Sequence, residues 1–280
     1  AVYWPASWTL VSQLPGERSK LMGRMNAVTA FGQIAGTMGA GTVVAAWSYA
    51  VAFLAVAALG ALSFALGLGF RYAPSRPKSK PGSMLATYRM LLGKRSLYYA
   101  IACAYVSALP FSLGMSFYPI LLVEQGFDVQ EAGWLVGMRA VGAVAAGVML
   151  ARFVKSSDER SVPFVSAISV ALSVAVVAWF KHPAIIALFL FGVGAGSGVM
   201  TNYFQLLVST FSSMEYRGSA MALAGMGWSL SHVSIPILMG WLRDSYGIYK
   251  AFYILGAGAL LFAFAIPLLQ RWSHSRRSAL

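Results

Sequence analysis

Eight apolar runs alternate with short polar connections along the chain. Each run is close to the roughly 20 residues that an α-helix needs to cross about 30 Å of hydrocarbon, so each predicts one membrane-spanning helix. The runs cover residues 25–47, 50–70, 97–123, 132–153, 162–180, 184–211, 220–242 and 251–269. This pattern predicts an all-α fold, a polytopic bundle of membrane helices.

The composition supports this fold class. Of the 280 residues, 59% are hydrophobic and 10% are charged, which is far from the balance of a water-soluble domain. The single cysteine, Cys103, lies inside an apolar run, which excludes a disulfide within the chain and a cysteine metal site. The sequence therefore predicts an integral membrane protein with no metal and no other cofactor.

The positive charges gather on one side of the predicted membrane. When the runs are threaded as successive helices, 17 of the 21 Lys and Arg residues fall in connections on one side. The connection from Glu124 to Glu131, on the other side, carries three acids and no base. Because basic loops stay in the cytoplasm, we expect a cytoplasmic central loop and C-terminus in a bacterial inner (plasma) membrane. The net charge of +13 is divided among five short connections, which does not predict nucleic-acid binding.

The chain also repeats itself weakly at an offset of 199 residues. Seven identical pairs occur without gaps: Arg18/Arg217, Met22/Met221, Gly41/Gly240, Ala52/Ala251, Phe53/Phe252, Ala58/Ala257 and Leu62/Leu261. The offset contains six predicted spans, and a repeat of this size indicates two six-helix halves.

With two six-helix halves and a long basic centre, the chain resembles the major facilitator superfamily. The resemblance covers the whole chain and implies that residues 1–13 end helix 4, that the eight runs are helices 5–12, and that helices 1–3 are missing. It implies the remainder of the N-terminal half at residues 1–72, a central cytoplasmic loop at 73–96, the C-terminal half at 97–270 and a cytoplasmic tail at 271–280. The loop contains a Pro- and Lys-rich stretch, 74–82, and an amphipathic segment, 84–92.

Two sequence motifs of the superfamily are recognisable but altered. The helix 5 antiporter pattern, G-x-x-x-G-P-x-x-G-G, starts at Gly32, and Thr37 replaces its proline. The loop pattern between helices 8 and 9 starts at Gly147; it keeps the bases Arg152 and Lys155 but loses its acid to Ala151. The first change weakens the case for efflux by antiport.

Arg139 is the one cation in the interior of a predicted span, since Arg152 lies at the last turn of the same span. Placing an ionised side chain in hydrocarbon costs a free energy of about 2.5–3.5 kcal/mol on insertion scales, so its presence indicates a function. One interpretation is that Arg139 attracts a carboxylate or phosphate of the substrate. The other is that it snorkels outward or pairs with a carboxylate of helices 1–3.

His232 is the second candidate, one turn after Trp228 on helix 11. Its repeat equivalent is Gln33, since 33 + 199 = 232, so each half places a hydrogen-bonding side chain at a similar depth. A histidine near the midplane can relay a proton. It can equally form a neutral interhelical hydrogen bond of about 0.6 kcal/mol.

Helices 7 and 10 supply further polar candidates. Helix 7 carries Tyr105 and Ser112 around Pro110 and Gly114, and helix 10 carries Asn202 and Gln205 on one face. A span interrupted by Pro and Gly frees backbone groups that are tolerated only beside protein or water, so we expect helix 7 to bend and line the transport path. Glycines alternate in residues 192–198 of helix 10, and this spacing predicts close helix packing rather than a phosphate loop.

These observations favour a secondary active transporter that moves a small organic solute by alternating access, and Arg139 favours an anionic one. The expected partners are this solute, a coupled proton or sodium ion and the lipid bilayer, with no nucleic acid. The alternative is drug or sugar efflux by proton antiport. A non-transporting sensor is less favoured. A membrane enzyme is also less favoured, because all eight acids lie in connections and the three histidines are well separated.

Overall fold

The computed structural model describes residues 18–69, 83–153 and 161–274. Within these ranges the chain forms ten helices and no strand, which confirms the predicted all-α fold. The helices are α1 (Arg18–Ala46), α2 (Tyr49–Leu68), α3 (Met84–Leu92), α4 (Arg95–Gly114), α5 (Phe117–Glu124), α6 (Val129–Phe153), α7 (Ser161–Val177), α8 (Pro183–Phe211), α9 (Arg217–Tyr246) and α10 (Ile248–His274). The predictions for residues 1–13 and 74–82 concern segments outside the described ranges.

Six of the described helices are long and apolar enough to cross a membrane: α1, α2, α4, α8, α9 and α10. Of the other two predicted spans, α6 has 25 residues with Arg139 near its middle, and α7 is apolar but has only 17 residues. Large apolar side chains face outward, Phe53 and Phe64 on α2 among them, as expected where lipid or another helix replaces water. The amphipathic segment 84–92 is confirmed as α3.

The predicted interruption of helix 7 is present, directly after Gly114. The sequence placed one span at residues 97–123, whereas the structure splits it into α4 and α5 at Met115 and Ser116. Pro110 lies inside α4, which continues for one more turn to Gly114. A proline removes one backbone hydrogen bond and crowds the preceding turn, so the helix ends shortly afterwards rather than at the proline itself.

The helix boundaries repeat at the offset found in the sequence. α2 begins at Tyr49 and α10 at Ile248, which are 199 residues apart, and the helices before them, α1 and α9, end 200 residues apart at Ala46 and Tyr246. The duplicated pattern of apolar runs therefore corresponds to duplicated helices, as the sequence predicted.

Close helix packing fixes the centre of the bundle. α6 packs between α1 and α8, while α4 packs against both α8 and α9. A Cβ added at Gly194 of α8 would overlap the carbonyl oxygen of Arg139, and one at Gly142 of α6 would overlap that of Phe191. A Cβ at Gly198 would lie 3.0 Å from the carbonyl oxygen of Ala143. The predicted packing role of the glycines at residues 192–198, on α8, is confirmed, since only residues without a side chain allow this approach.

Candidate functional site

A cavity of about 730 Å³ lies between five segments of the bundle. We call it the arginine cavity. Its lining comes from α1 (Thr29, Ala30, Gly32, Gln33, Thr37), the end of α4 (Phe111, Gly114, Met115), α6 (Arg139, Ala143), α8 (Ser197, Gly198, Thr201, Asn202) and α9 (Gly225, Trp228, Ser229, His232). The volume is in the range of pockets that bind small organic molecules, about 300–1,000 Å³.

Arg139 reaches this cavity from the middle of α6. The residue is only 4% exposed, and its Nη2 donates a long hydrogen bond of 3.5 Å to Oε1 of Gln33 on α1. Two glycines make room for it: Gly194 allows α8 to touch the backbone at Arg139, and a Cβ on Gly114 would lie 3.1 Å from its Nε. The guanidinium is therefore held in place by packing rather than by strong hydrogen bonds.

The charge of Arg139 has no counter-ion in the part of the chain that the structure describes. Its Nε and Nη1 are buried and find no hydrogen-bond acceptor there. The ion pair between Arg243 and Glu124, at 3.4 Å, joins exposed side chains of α9 and α5 instead. A desolvated guanidinium without a carboxylate is unfavourable by itself, so the site favours any anion that enters the cavity.

Three rings form a continuous wall beside this charge. The guanidinium carbon of Arg139 lies 4.2 Å from the ring centroid of Phe111, close enough for a cation–π contact. The Phe111 ring lies 4.9 Å from Trp228, and Trp228 stacks on His232 at 5.6 Å with 20° between planes. We call Phe111, Trp228 and His232 the aromatic row.

Hydrogen bonds fix the orientation of Trp228. Its Nε1 donates to Oγ of Ser107 at 2.9 Å, and Ser107 in turn donates to the carbonyl oxygen of Ala104 at 2.8 Å. Ser197 on α8 donates to the Ser107 carbonyl oxygen at 2.6 Å. The indole of α9 is thus tied to α4, and α4 is tied to α8, so this part of the wall is rigid.

The hydrogen-bonding capacity of the remaining polar groups is also defined. Nδ1 of His232 lies 2.9 Å from the carbonyl oxygen of Trp228, which can only accept a hydrogen bond. Nδ1 therefore carries the proton of the neutral ring, and Nε2 is the acceptor. Thr29 and Thr37 donate their hydroxyl protons to carbonyl oxygens one turn earlier on α1. These two hydroxyl groups can therefore only accept from a bound solute.

The two sequence repeats meet at this cavity. Three lining residues of α1, namely Thr29, Ala30 and Gln33, are the repeat equivalents of the lining residues Trp228, Ser229 and His232 on α9. The predicted equivalence of Gln33 and His232 thus places both side chains in one cavity.

Comparison with known families agrees with this architecture. The family model described as Major Facilitator Superfamily matches residues 1–231 and, in an overlapping second match, residues 102–278. The chain belongs to the Major Facilitator Superfamily. No curated protein matches the chain. Membership identifies this integral membrane protein as a membrane transporter in general, and the apolar helices support the same class.

Five of the eight substrate contacts predicted from the sequence lie together in this superfamily member. Arg139, His232, Gln33, Trp228 and Asn202 all line the arginine cavity. The proximity of these side chains agrees with a shared site, although their role in binding a solute stays a prediction.

The other three predicted contacts lie elsewhere. Gln205 is fully buried. Ser112 is also buried, with its Oγ 3.2 Å from the carbonyl oxygen of Ala108 and 3.4 Å from Oγ of Ser231. Tyr105 bonds to Oγ of Ser234 at 2.9 Å and lines a second, apolar cavity. The interruption after Gly114 brings α4 to the arginine cavity through Phe111 and Met115 instead.

Phe111 and Ser197 are two of the lining residues that the sequence did not identify as contacts. Phe111 is one of many apolar residues in an apolar span, and only its neighbours in the fold reveal that it lies against Arg139. Ser197 lies among the glycines at residues 192–198 of α8, and these glycines indicate packing rather than a cavity. Its position one turn before Thr201 was the signal that could have identified it.

Proposed function

We propose that this superfamily member is a secondary active transporter of a small organic anion. The observation that carries the proposal is the buried guanidinium of Arg139, which faces a cavity of about 730 Å³ without a counter-ion among the described residues. A transporter that binds an anion gains from such a site, because the solute supplies the charge that the protein lacks.

The position of the cavity supports the proposal of alternating access. α1 belongs to the first repeat and α6, α8 and α9 to the second, so the solute would touch both halves. The two halves cross where Gly41 of α1 faces α6, a Cβ there lying 3.4 Å from the carbonyl oxygen of Val129. Rocking of one half about this contact, where no side chain of Gly41 intervenes, would open the cavity to each side of the membrane in turn.

We further propose that an ion gradient drives transport and that His232 is the residue that responds to protons. Its ring lies in the same cavity as Arg139, so protonation there would change the charge that the solute meets. The orientation proposed is the one given by the basic connections, with the central loop and C-terminus in the cytoplasm of a bacterial cell. The proposed partners are the solute, a proton or sodium ion and the bilayer, without catalysis and without nucleic acid.

The test is the charge preference of Arg139→Ala in proteoliposomes. Binding and uptake are measured for a panel of carboxylic acids and for their neutral amides. We expect the unmodified protein to prefer acids by about tenfold, equivalent to roughly 1.4 kcal/mol, and Arg139→Ala to lose this preference.

Arg243→Ala is the matched control, because it removes an exposed guanidinium from the end of α9, outside the cavity. It should keep the preference for acids. Equal losses for acids and amides in Arg139→Ala would assign Arg139 a structural role and would favour the alternative, efflux of a neutral drug or sugar.

A further inference from the structure

We propose that the transported anion is an aromatic carboxylate, whose carboxylate binds at Arg139 and whose ring lies against the aromatic row. This inference rests on the proposed transport of an anion, and it names the chemical class of that anion. An organic carboxylate is expected rather than a bare inorganic ion because a cavity of about 730 Å³ has room for much more than the charged group.

The first argument is the order of the groups along the wall. The row begins at the cation, since Phe111 lies 4.2 Å from the Arg139 guanidinium, and it continues through Trp228 to His232. A solute whose anionic end is held at Arg139 therefore finds ring faces and edges directly beside that end. Aromatic groups prefer such tilted or offset neighbours at centroid distances of about 4.5–7 Å.

The second argument is that the row is held in place before a solute arrives. Ser107 fixes the indole of Trp228 through a hydrogen bond of 2.9 Å, and the Trp228 carbonyl oxygen fixes Nδ1 of His232. Rigid rings lose little conformational freedom when a ligand binds, so a planar ligand gains most from them.

The third argument is that part of the polar lining is already engaged and that its charge is single. Thr29 and Thr37 use their hydroxyl protons within α1, and the Trp228 indole donates to Ser107. Gln33, Thr201, Asn202 and Ser229 also line the cavity, so polar substituents on the ring would be accommodated as well. A ring with one carboxylate matches the one guanidinium of the described lining.

The experiment compares three ligands of similar size on the full chain in detergent: benzoate, cyclohexanecarboxylate and benzamide. Affinity is measured by thermal shift and by isothermal calorimetry. We expect benzoate to bind at least about fivefold more tightly than cyclohexanecarboxylate and about tenfold more tightly than benzamide. These fold-changes correspond to one aromatic contact and one charge contact of ordinary strength.

Variants of Trp228 connect the ring preference to the row. Trp228→Leu should bring the ratio of benzoate to cyclohexanecarboxylate affinity close to one and leave the ratio to benzamide unchanged. Trp228→Phe keeps a ring and should retain most of the first ratio. Trp241→Leu is the control, because Trp241 lies on the same helix, is 59% exposed and does not line the arginine cavity.

The outcomes separate this inference from the proposed function. Equal binding of benzoate and cyclohexanecarboxylate, both above benzamide, would overturn the aromatic class and leave anion transport standing. Equal binding of benzoate and benzamide would contradict anion transport itself. Failure of all three ligands to shift the melting of folded protein would count against both.

Discussion

The arginine cavity and a second cavity beside Tyr105 lie in the same bundle, and α4 and α9 contribute side chains to both. The second one has a volume of about 350 Å³, and we call it the apolar cavity. It is lined from α4, α7, α9 and α10 by Tyr105, Val106, Leu109, Ala167, Val170, Ile235, Leu238, Trp241, Leu242, Ile254, Leu255, Gly258, Ala259 and Phe262. One cavity contains a buried cation, two amides and an imidazole, and the other contains almost only hydrocarbon.

The comparison teaches how one helix serves two environments. On α9 the residues Trp228 and His232, one turn apart, line the arginine cavity, whereas Ile235, Leu238 and Leu242 line the apolar cavity. The two sets follow one another along the helix: the first ends at His232 and the second begins at Ile235, which lies seven residues after Trp228 on nearly the same face. A void inside a membrane bundle is thus not by itself a sign of a transport site; the charged and polar groups that it contains make the difference.

The largest expected effect comes from Gly194→Ala, which disturbs the support of the arginine cavity. The new methyl group would overlap the carbonyl oxygen of Arg139 and push α6 away from α8. Overpacking of this kind typically costs about 1–3 kcal/mol, and we expect at least about tenfold slower transport because Arg139 moves. Uptake in proteoliposomes and thermal unfolding in detergent measure both consequences.

The matched control is Gly258→Ala in the apolar cavity. A Cβ at Gly258 would meet no atom within 4 Å. Replacing a helical glycine by alanine then stabilises by about 0.5–1 kcal/mol, and transport should not change. Similar damage from both substitutions would contradict the distinction between the two cavities.

A smaller effect is expected from His232→Gln, which tests the proton response of the arginine cavity. Glutamine can replace the hydrogen bond to the Trp228 carbonyl oxygen but does not change charge between pH 5 and 8. We expect uptake by the unmodified protein to vary with pH over this range and the variant to give a flatter profile. Among the described residues that line the cavity, Arg139 is the one other ionisable side chain, and it stays charged over this range. A profile that does not change would remove His232 from the coupling mechanism.

The smallest effect is expected from Tyr105→Phe. This change removes the hydroxyl group that bonds to Ser234 at 2.9 Å in the wall of the apolar cavity. An interhelical hydrogen bond in a membrane protein is worth about 0.6 kcal/mol, so stability should fall slightly while solute affinity stays the same. A loss of affinity would support the sequence prediction that Tyr105 contacts the solute.

Much of the fold was predictable because membrane helices follow simple rules. The period of 199 residues predicted that α1 and α9 are equivalent, and it paired Gln33 with His232 before their shared cavity was known. Arg139 was identifiable because an ionised side chain in a span is costly and therefore rare. The interruption of helix 7 was expected around Pro110 and Gly114, and α4 ends at Gly114.

The site itself was predicted less completely. Helical spacing grouped Asn202 with Gln205, yet only Asn202 lines the arginine cavity. Small differences in rotation and tilt decide which of two neighbouring side chains reaches a cavity, and spacing alone does not contain them.

The sequence by itself determined the membrane class, the order of the spans, the duplication and the presence of a cation at membrane depth. These follow from chain length, hydropathy and charge, which act locally and need no knowledge of neighbours. Tertiary structure decided that Phe111, Trp228 and His232 form one wall beside Arg139. That arrangement depends on how closely helices approach, and the approach is set by glycines such as Gly194 acting on residues far away in the chain.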